Sequence, residues 1–286
     1  MTNITYTASN GAVFDLMASM AMRLKKAQFH TFEFTPDVTA LQYGERVERW
    51  RKGAASYPAQ ILFKGTKADR IAAIDAFHVA IERDMIYKTP GILTWGNSYI
   101  SCYLRSSGTY PSDANDTETF NDVEIYCPSS AWITEQHIVI DPVEQTQVLR
   151  PTDIQYAPTY GYPYSYMQLQ GTSKSIYVDH FAPCDFKAVL YGPVSGVDIA
   201  IGSRLLKVDR AVPAGGHMVI DTRDSVDVDR HCYLVTAGGV QNCFNYRDPE
   251  SSLLGRIDPG FNRVVYDRTT RLELTVFRER SEPEWN

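Results

Sequence analysis

The chain has 286 residues, 44% hydrophobic and 22% charged, with a formal net charge of −6 and a pI near 5.5. That length holds one large domain or two ordinary ones, and it buries enough surface to need neither disulfides nor structural metals. The acidic balance argues against a general nucleic-acid-binding surface. No apolar run reaches the length of a membrane span, and no basic stretch leads into an apolar core at the start, so neither a cleavable export signal nor a bilayer segment is expected.

A hairpin is predicted over 4–16 around Asn10-Gly11, and 17–26 has no firm period. From 27 to 34 Phe29, Thr31 and Glu33 alternate with His30, Phe32 and Phe34. This predicts a strand covered on both sides, or one that meets a partner subunit. Another strand is expected over 46–52. The strand predicted over 57–64 ends at Gly65, and Thr66 stands three residues before Asp69. In that capping box the hydroxyl and the carboxylate would each take an orphan amide. Ile71, Ile74, Phe77, His78, Ile81 and Met85 then recur at helical spacing as one apolar stripe. Thr89-Pro90-Gly91 should stop the helix, Gly91 supplying a positive φ, before a hairpin of 92–95 with 98–103 across Gly96-Asn97.

The polar stretch 106–119 reads as a long exposed loop, followed by strands over 120–126 and 131–140. Three prolines within 141–158 mark a linker. Beyond it no helix is predicted. Short strands over 186–191, 197–201, 205–208, 217–222, 226–228, 233–236, 263–266 and 272–277 argue for an antiparallel sandwich or jelly roll.

Tests for chemistry are mostly negative. There is no phosphate-cradling glycine loop, and the nearest approach to a nucleophile elbow, Gly192-Pro193-Val194-Ser195-Gly196, has one residue too many before the serine. The six histidines lie at no metal-ligand spacing, and no cofactor is implied. His78 reads as a stripe-edge residue. Asp227 and Asp229 would share a strand face able to hold calcium. The spacing lacks the glycine of a calcium loop, however, and Arg223 and Arg230 can neutralise the cluster with Asp221 and Asp224, so a solvated loop and sheet edge is the reading. The five cysteines, an odd number without a C-x-x-C pair, read as reduced, partly buried thiols, with a Cys232–Cys243 bridge left open. Tyr160, Tyr162, Tyr164 and Tyr166 alternate and would point the same way on an extended chain, as core, as an interface or as a saccharide-stacking platform.

Several passages resemble the distal tail proteins of long-tailed, siphovirus-type bacteriophages and prophages. They are 87–93 (Tyr-Lys-Thr-Pro-Gly-Ile-Leu) running to Tyr99-Ile100-Ser101-Cys102-Tyr103-Leu104, then Tyr162-Pro163-Tyr164-Ser165-Tyr166. Phe181-Ala182-Pro183-Cys184-Asp185-Phe186, Tyr191-Gly192-Pro193, Phe244-Asn245-Tyr246-Arg247 and the closing stretch from Glu279 to Trp285 follow in the family's order. The resemblance implies a mainly β chain. An α+β N-terminal domain over 1–140 would carry a β-barrel-like sheet and one main helix. After a linker over 141–159, an all-β sandwich over 160–286 would be galectin-like or carbohydrate-binding-module-like. It further implies a non-enzymatic protein of the virion tail tip, assembled with itself as a ring, usually a homohexamer. Such a ring joins the tail tube protein to the tail-associated tip protein and in many phages carries receptor-binding protein. DNA would cross its lumen without specific binding, which the acidic chain suits. The alternative is a β-sandwich that recognises host cell-wall saccharide through the four tyrosines.

Overall fold

The computed structural model of the protein describes residues 3–17, 21–111, 117–142, 173–223, 231–266 and 269–285. It is mainly β, with antiparallel ladders throughout and one α-helix among the described residues, as expected. The chain forms two compact units, Met1–Thr134 with Glu279–Asn286, and Glu135–Arg278. The closing residues therefore group with the first unit. The linker expected over 141–159 lies, from 143 onward, outside the described residues.

In the first unit, β1 (Ile4–Thr7) pairs with β2 (Val13–Asp15) across a turn in which Gly11 takes φ +83°. β3 (Met22–Ala27) pairs with β6 (Ala55–Lys64), and among the described residues β4 (Thr35–Ala40) pairs only with β5 (Glu45–Arg51). After α1 (Lys67–Ile86) come β7 (Gly91–Trp95), β8 (Ser98–Pro111), β9 (Glu118–Cys127) and the start of β10 (Trp132–Ile140). Long β8 belongs to two ladders: Ser98–Cys102 against β7, which in turn pairs with β1, and Tyr103–Pro111 against β9, which continues to β6. A register shift between Leu104 and Ser106 marks the handover, where a bulge lets one strand bend between sheets.

Thr66 caps α1: its hydroxyl oxygen accepts the Asp69 amide at 3.3 Å and donates to the Asp69 carboxylate at 2.6 Å. The carboxylate thus meets the hydroxyl, not the amide expected for it. The buried face carries Phe77, Ala80, Ile81 and Asp84. Phe77 packs edge-on to Phe14, Tyr6 and Phe63 at centroid distances of 5.3, 6.3 and 6.1 Å. Fully burying side chains of this size stabilises by roughly 1.5–3 kcal/mol each. Asp84 has no exposed surface; it accepts from the Tyr6 hydroxyl at 2.5 Å and from the Ser9 amide at 2.9 Å. Burial first, and then the bond to Asp84, push the Tyr6 hydroxyl well above the usual tyrosine range, so it stays a donor.

Four expectations are corrected. Ile71 and Met85 leave the buried stripe at 50% and 44% exposure, because Phe77 and Asp84 turn the helix away from them. The positive φ after α1 falls on Lys88 (φ 55°), not on Gly91. Gly91 is required for another reason: a Cβ there would lie 2.5 Å from the Tyr6 hydroxyl oxygen. The stretch 28–34 is no strand; β3 stops at Ala27, and buried Phe29 instead meets Tyr57, Trp95 and Trp132 at 5.6, 5.6 and 5.8 Å. Most of the loop expected over 106–119 is strand, since β8 runs to Pro111 and β9 begins at Glu118. Its polar side chains find cross-strand partners, as in the bond from Gln60 to Tyr110 at 3.0 Å.

The second unit is an antiparallel sandwich. One sheet has the order β17 (Gly239–Asn242), β16 (Cys232–Thr236), β15 (His217–Asp221), β12 (Asp185–Tyr191), β19 (Leu272–Arg280). The other runs β11 (Ser173–Val178), β18 (Gly260–Val265), β13 (Val197–Ile201), β14 (Arg204–Val208). Phe186, Ala188 and Leu274 from the first sheet and Ile199, Leu206 and Val264 from the second share one core. Strand alternation places these residues on the inner faces. The strand expected over 226–228 lies outside the described residues.

All five cysteines are free and buried. Burial, and then the neighbouring Cys243, push the Cys232 thiol up to about 12, so it stays protonated and unreactive near neutrality. A thiol reagent at pH 8 is expected to label the native protein very slowly and all five sites quickly after denaturation; rapid native labelling would contradict this packing. Gly91→Ala is expected to cost about 1–3 kcal/mol through overpacking against the Tyr6 ring, read as a lower urea midpoint for the first unit.

Candidate interaction surface

Among the described residues no group of three or more His, Cys, Asp or Glu side chains is arranged to hold a metal ion. Of the acidic cluster, Asp221 is buried and engaged by Arg223 at 3.0 and 2.7 Å, while Asp224, Asp227, Asp229 and Arg230 lie outside the described residues. Tyr160, Tyr162, Tyr164 and Tyr166 lie outside them too. His78 joins a polar network between α1 and the β8–β9 ladder. Its Nε2 lies 2.8 Å from Asn121 Nδ2 and 3.2 Å from Ser107 Oγ, so with neutral imidazole it can accept from the amide. These contacts seat a helix against a sheet.

The surface that stands apart is the β4–β5 arm. It forms a two-stranded sheet of its own, and nearly every residue in it is exposed. The register places Pro36 opposite Trp50 and Val38 opposite Val47, with Glu48 bulged out between Arg49 and Val47. Pro36, Trp50, Val38 and Val47 therefore share one face, and Leu41 and Tyr43 sit at the turn, where Gly44 takes φ +91°. Trp50 is 60% exposed and Tyr43 89%. The opposite face is charged: Asp37, Arg49, Arg51 and Arg46. Asp37 Oδ2 accepts from the Nε atoms of both Arg49 and Arg51, the latter at 2.6 Å. Arg49, then Arg51, hold the Asp37 carboxyl below the usual aspartate range. A lone two-stranded ribbon is marginal in water, and its uncovered apolar face makes the arm a candidate interaction surface.

α1 presents a second such surface. Opposite its buried face stand Val79 and Ile86, 65% and 72% exposed, with Ile71 beside them. Asp75 and Glu82 lie among these apolar side chains. At about 100° per residue the five positions span about 80° of the helix circumference, one coherent face.

The reading of 46–52 as a strand located half of the arm; β4 escaped because its Pro36 and Asp37 are poor strand formers. The glycine turn at Gly44, with Val38 and Val47 on either side, was the available signal. Val79 and Ile86 were missed because the stripe assembled from 71 to 85 accounted for only one side of the helix.

No family model matches the sequence, and no curated protein matches it. Among solved structures, the Dit protein of phage SPP1, described as a paradigm of the hub adsorption apparatus in phages infecting Gram-positive bacteria, aligns with a TM-score of 0.61 at 11% identity. The alignment covers 98% of this chain and 99% of that one. The phage P2 baseplate in its activated conformation with calcium aligns with a TM-score of 0.65 at 12% identity, covering 99% of this chain and 100% of the matched one. The same baseplate with strontium gives 0.63 at 11%. The fold is that of these phage hub and baseplate proteins, as the resemblance implied.

Asp37→Ala is expected to leave the thermal midpoint of the protein unchanged while amide exchange across 35–51 becomes several-fold faster. In the wild type the same loosening is expected on acidification. A depressed carboxyl pKa stabilises fully above the ordinary aspartate value and stops doing so as pH falls through the folded one. An arm whose exchange ignores both changes would show that Asp37 does not hold it.

Proposed function

We propose that this chain is a structural hub protein of a phage adsorption apparatus, working by assembly and not by making or breaking covalent bonds. The observation that carries this reading is the end-to-end correspondence with hub and baseplate proteins, 98–99% of this chain aligned over both units. The uncovered arm supports it, because a subunit of a closed assembly must keep surface for its neighbours. In this reading the first unit builds a ring, favoured as a homohexamer, in the virion tail tip. The ring joins the tail tube protein to the tail-associated tip protein and offers a place for receptor-binding protein. DNA crosses the lumen, where a chain of net charge −6 disfavours phosphate adhesion. No cofactor is required. No helix among the described residues is long and apolar enough to cross a membrane.

A second reading, saccharide recognition by the sandwich, is favoured by one observation. Tyr177 and Phe261 stand directly opposite each other on β11 and β18, both exposed, with centroids 4.9 Å apart.

Native mass measurement and negative-stain microscopy test the first reading. The expected result is a closed ring of several copies of the 32.3 kDa chain. A strict monomer at high concentration would overturn it. For the second, glycan-array binding that is lost in Phe261→Ala is the expected result, and an array on which the wild type binds nothing removes the reading.

A further inference from the structure

The first unit carries two apolar surfaces on different elements, the arm face with Trp50 and Val47 and the outward face of α1 with Val79 and Ile86. A closed ring is built from heterologous contacts, in which one patch of each subunit meets a different patch of the next. It therefore needs two surfaces per subunit, complementary in shape and charge. Resting on the ring reading above, we infer that the apolar face of the β4–β5 arm of one copy packs across the outward face of α1 of the neighbouring copy, Trp50 seated against Val79 and Ile86.

Three observations support this pairing. First, the lengths match: arm strands of six and seven residues are about 20 Å long, and Ile71 to Ile86 spans about 22 Å of helix. Second, the arm's charged face can supply countercharge at the ribbon edge, although Glu45 shares the apolar face with Val38 and Val47. Asp75 and Glu82 stand among the apolar side chains of the helix face, while Arg49 and Arg51 share the single carboxylate of Asp37. Arginine stems are long enough to reach past the edge of a two-stranded ribbon, and a second carboxylate would give each guanidinium its own acceptor. Third, both surfaces gain from the same contact. The arm acquires the cover that an isolated ribbon lacks, and β-branched side chains at the outermost point of a helix leave water.

The test uses the full chain in two variants. One is the arm variant Val47→Asp with Trp50→Ala, the other the helix variant Val79→Asp with Ile86→Asp. All four positions are exposed, and unchanged thermal midpoints confirm folding. Each variant alone is expected to lose the closed oligomer and run as a monomer. Mixed, they retain one intact interface per pair, the arm of the helix variant on the helix of the arm variant, so one-to-one heterodimers and nothing larger are expected. A helix variant that still closes into the wild-type oligomer overturns this inference while leaving the ring reading intact, and so does a mixture of monomers that forms no heterodimer. A wild type that is itself monomeric overturns both. As a second readout, Val47→Cys combined with Val79→Cys is expected to give a ladder of disulfide-linked oligomers on oxidation with copper phenanthroline. A ladder no stronger than that of either single variant counts against the contact.

Discussion

Asp84 has no exposed surface, and giving its side-chain oxygens hydrogen-bond partners inside the protein constrains much of the first unit. Leaving a buried polar group without partners costs about 1–3 kcal/mol or more, so the Tyr6 hydroxyl and the Ser9 amide reach it. That requirement ties the N-terminal hairpin to the last turns of α1. It brings the Tyr6 ring against the start of β7, where only a residue without a Cβ fits, and Gly91 occupies that position. Together with Phe77, three rings deep in aromatic neighbours, it also fixes the rotation of the helix about its axis.

The helix rotation has a consequence on the far side. With Phe77, Ala80, Ile81 and Asp84 turned inward, Val79 and Ile86 have nowhere to go but solvent. A helix with apolar residues on opposite faces buries one in its own subunit and leaves the other uncovered. The arm obeys the same logic from the strand side. Its register sorts Pro36, Val38, Val47 and Trp50 onto one face and its arginines onto the other, so it is amphipathic without a core of its own.

The second unit poses no such problem. Its two sheets turn their apolar faces to each other, and large buried side chains such as Phe186, Leu206 and Ile199 close the core without help. Among its described residues Tyr177 and Phe261 stand exposed side by side, and Phe181, Val240 and Leu254 are exposed singly. The first unit differs in that its exposed apolar residues are gathered onto two faces, one on the ribbon and one on the helix.

The amino-acid sequence by itself determined the element types wherever the local signal was backbone chemistry. Asn10-Gly11 and Gly96-Asn97 specify their hairpins, Thr66 specifies the start of α1, and alternating apolar residues mark most strands of the sandwich. Resemblance in a few passages also pointed to the fold that the solved structures share. Only the tertiary structure decided which side of α1 is inside, because Ile71 and Phe77 are equally apolar and burial depends on what the neighbouring strands bring to them. It alone showed that Gly91 answers to Tyr6, 85 residues away in sequence, and not to a turn. It alone also converted a polar stretch into the β8–β9 ladder and a proline-bearing segment into half of the arm. Strand pairing is a long-range interaction: a residue's own side chain sets its propensity, but the partner strand that satisfies its backbone comes from elsewhere in the chain.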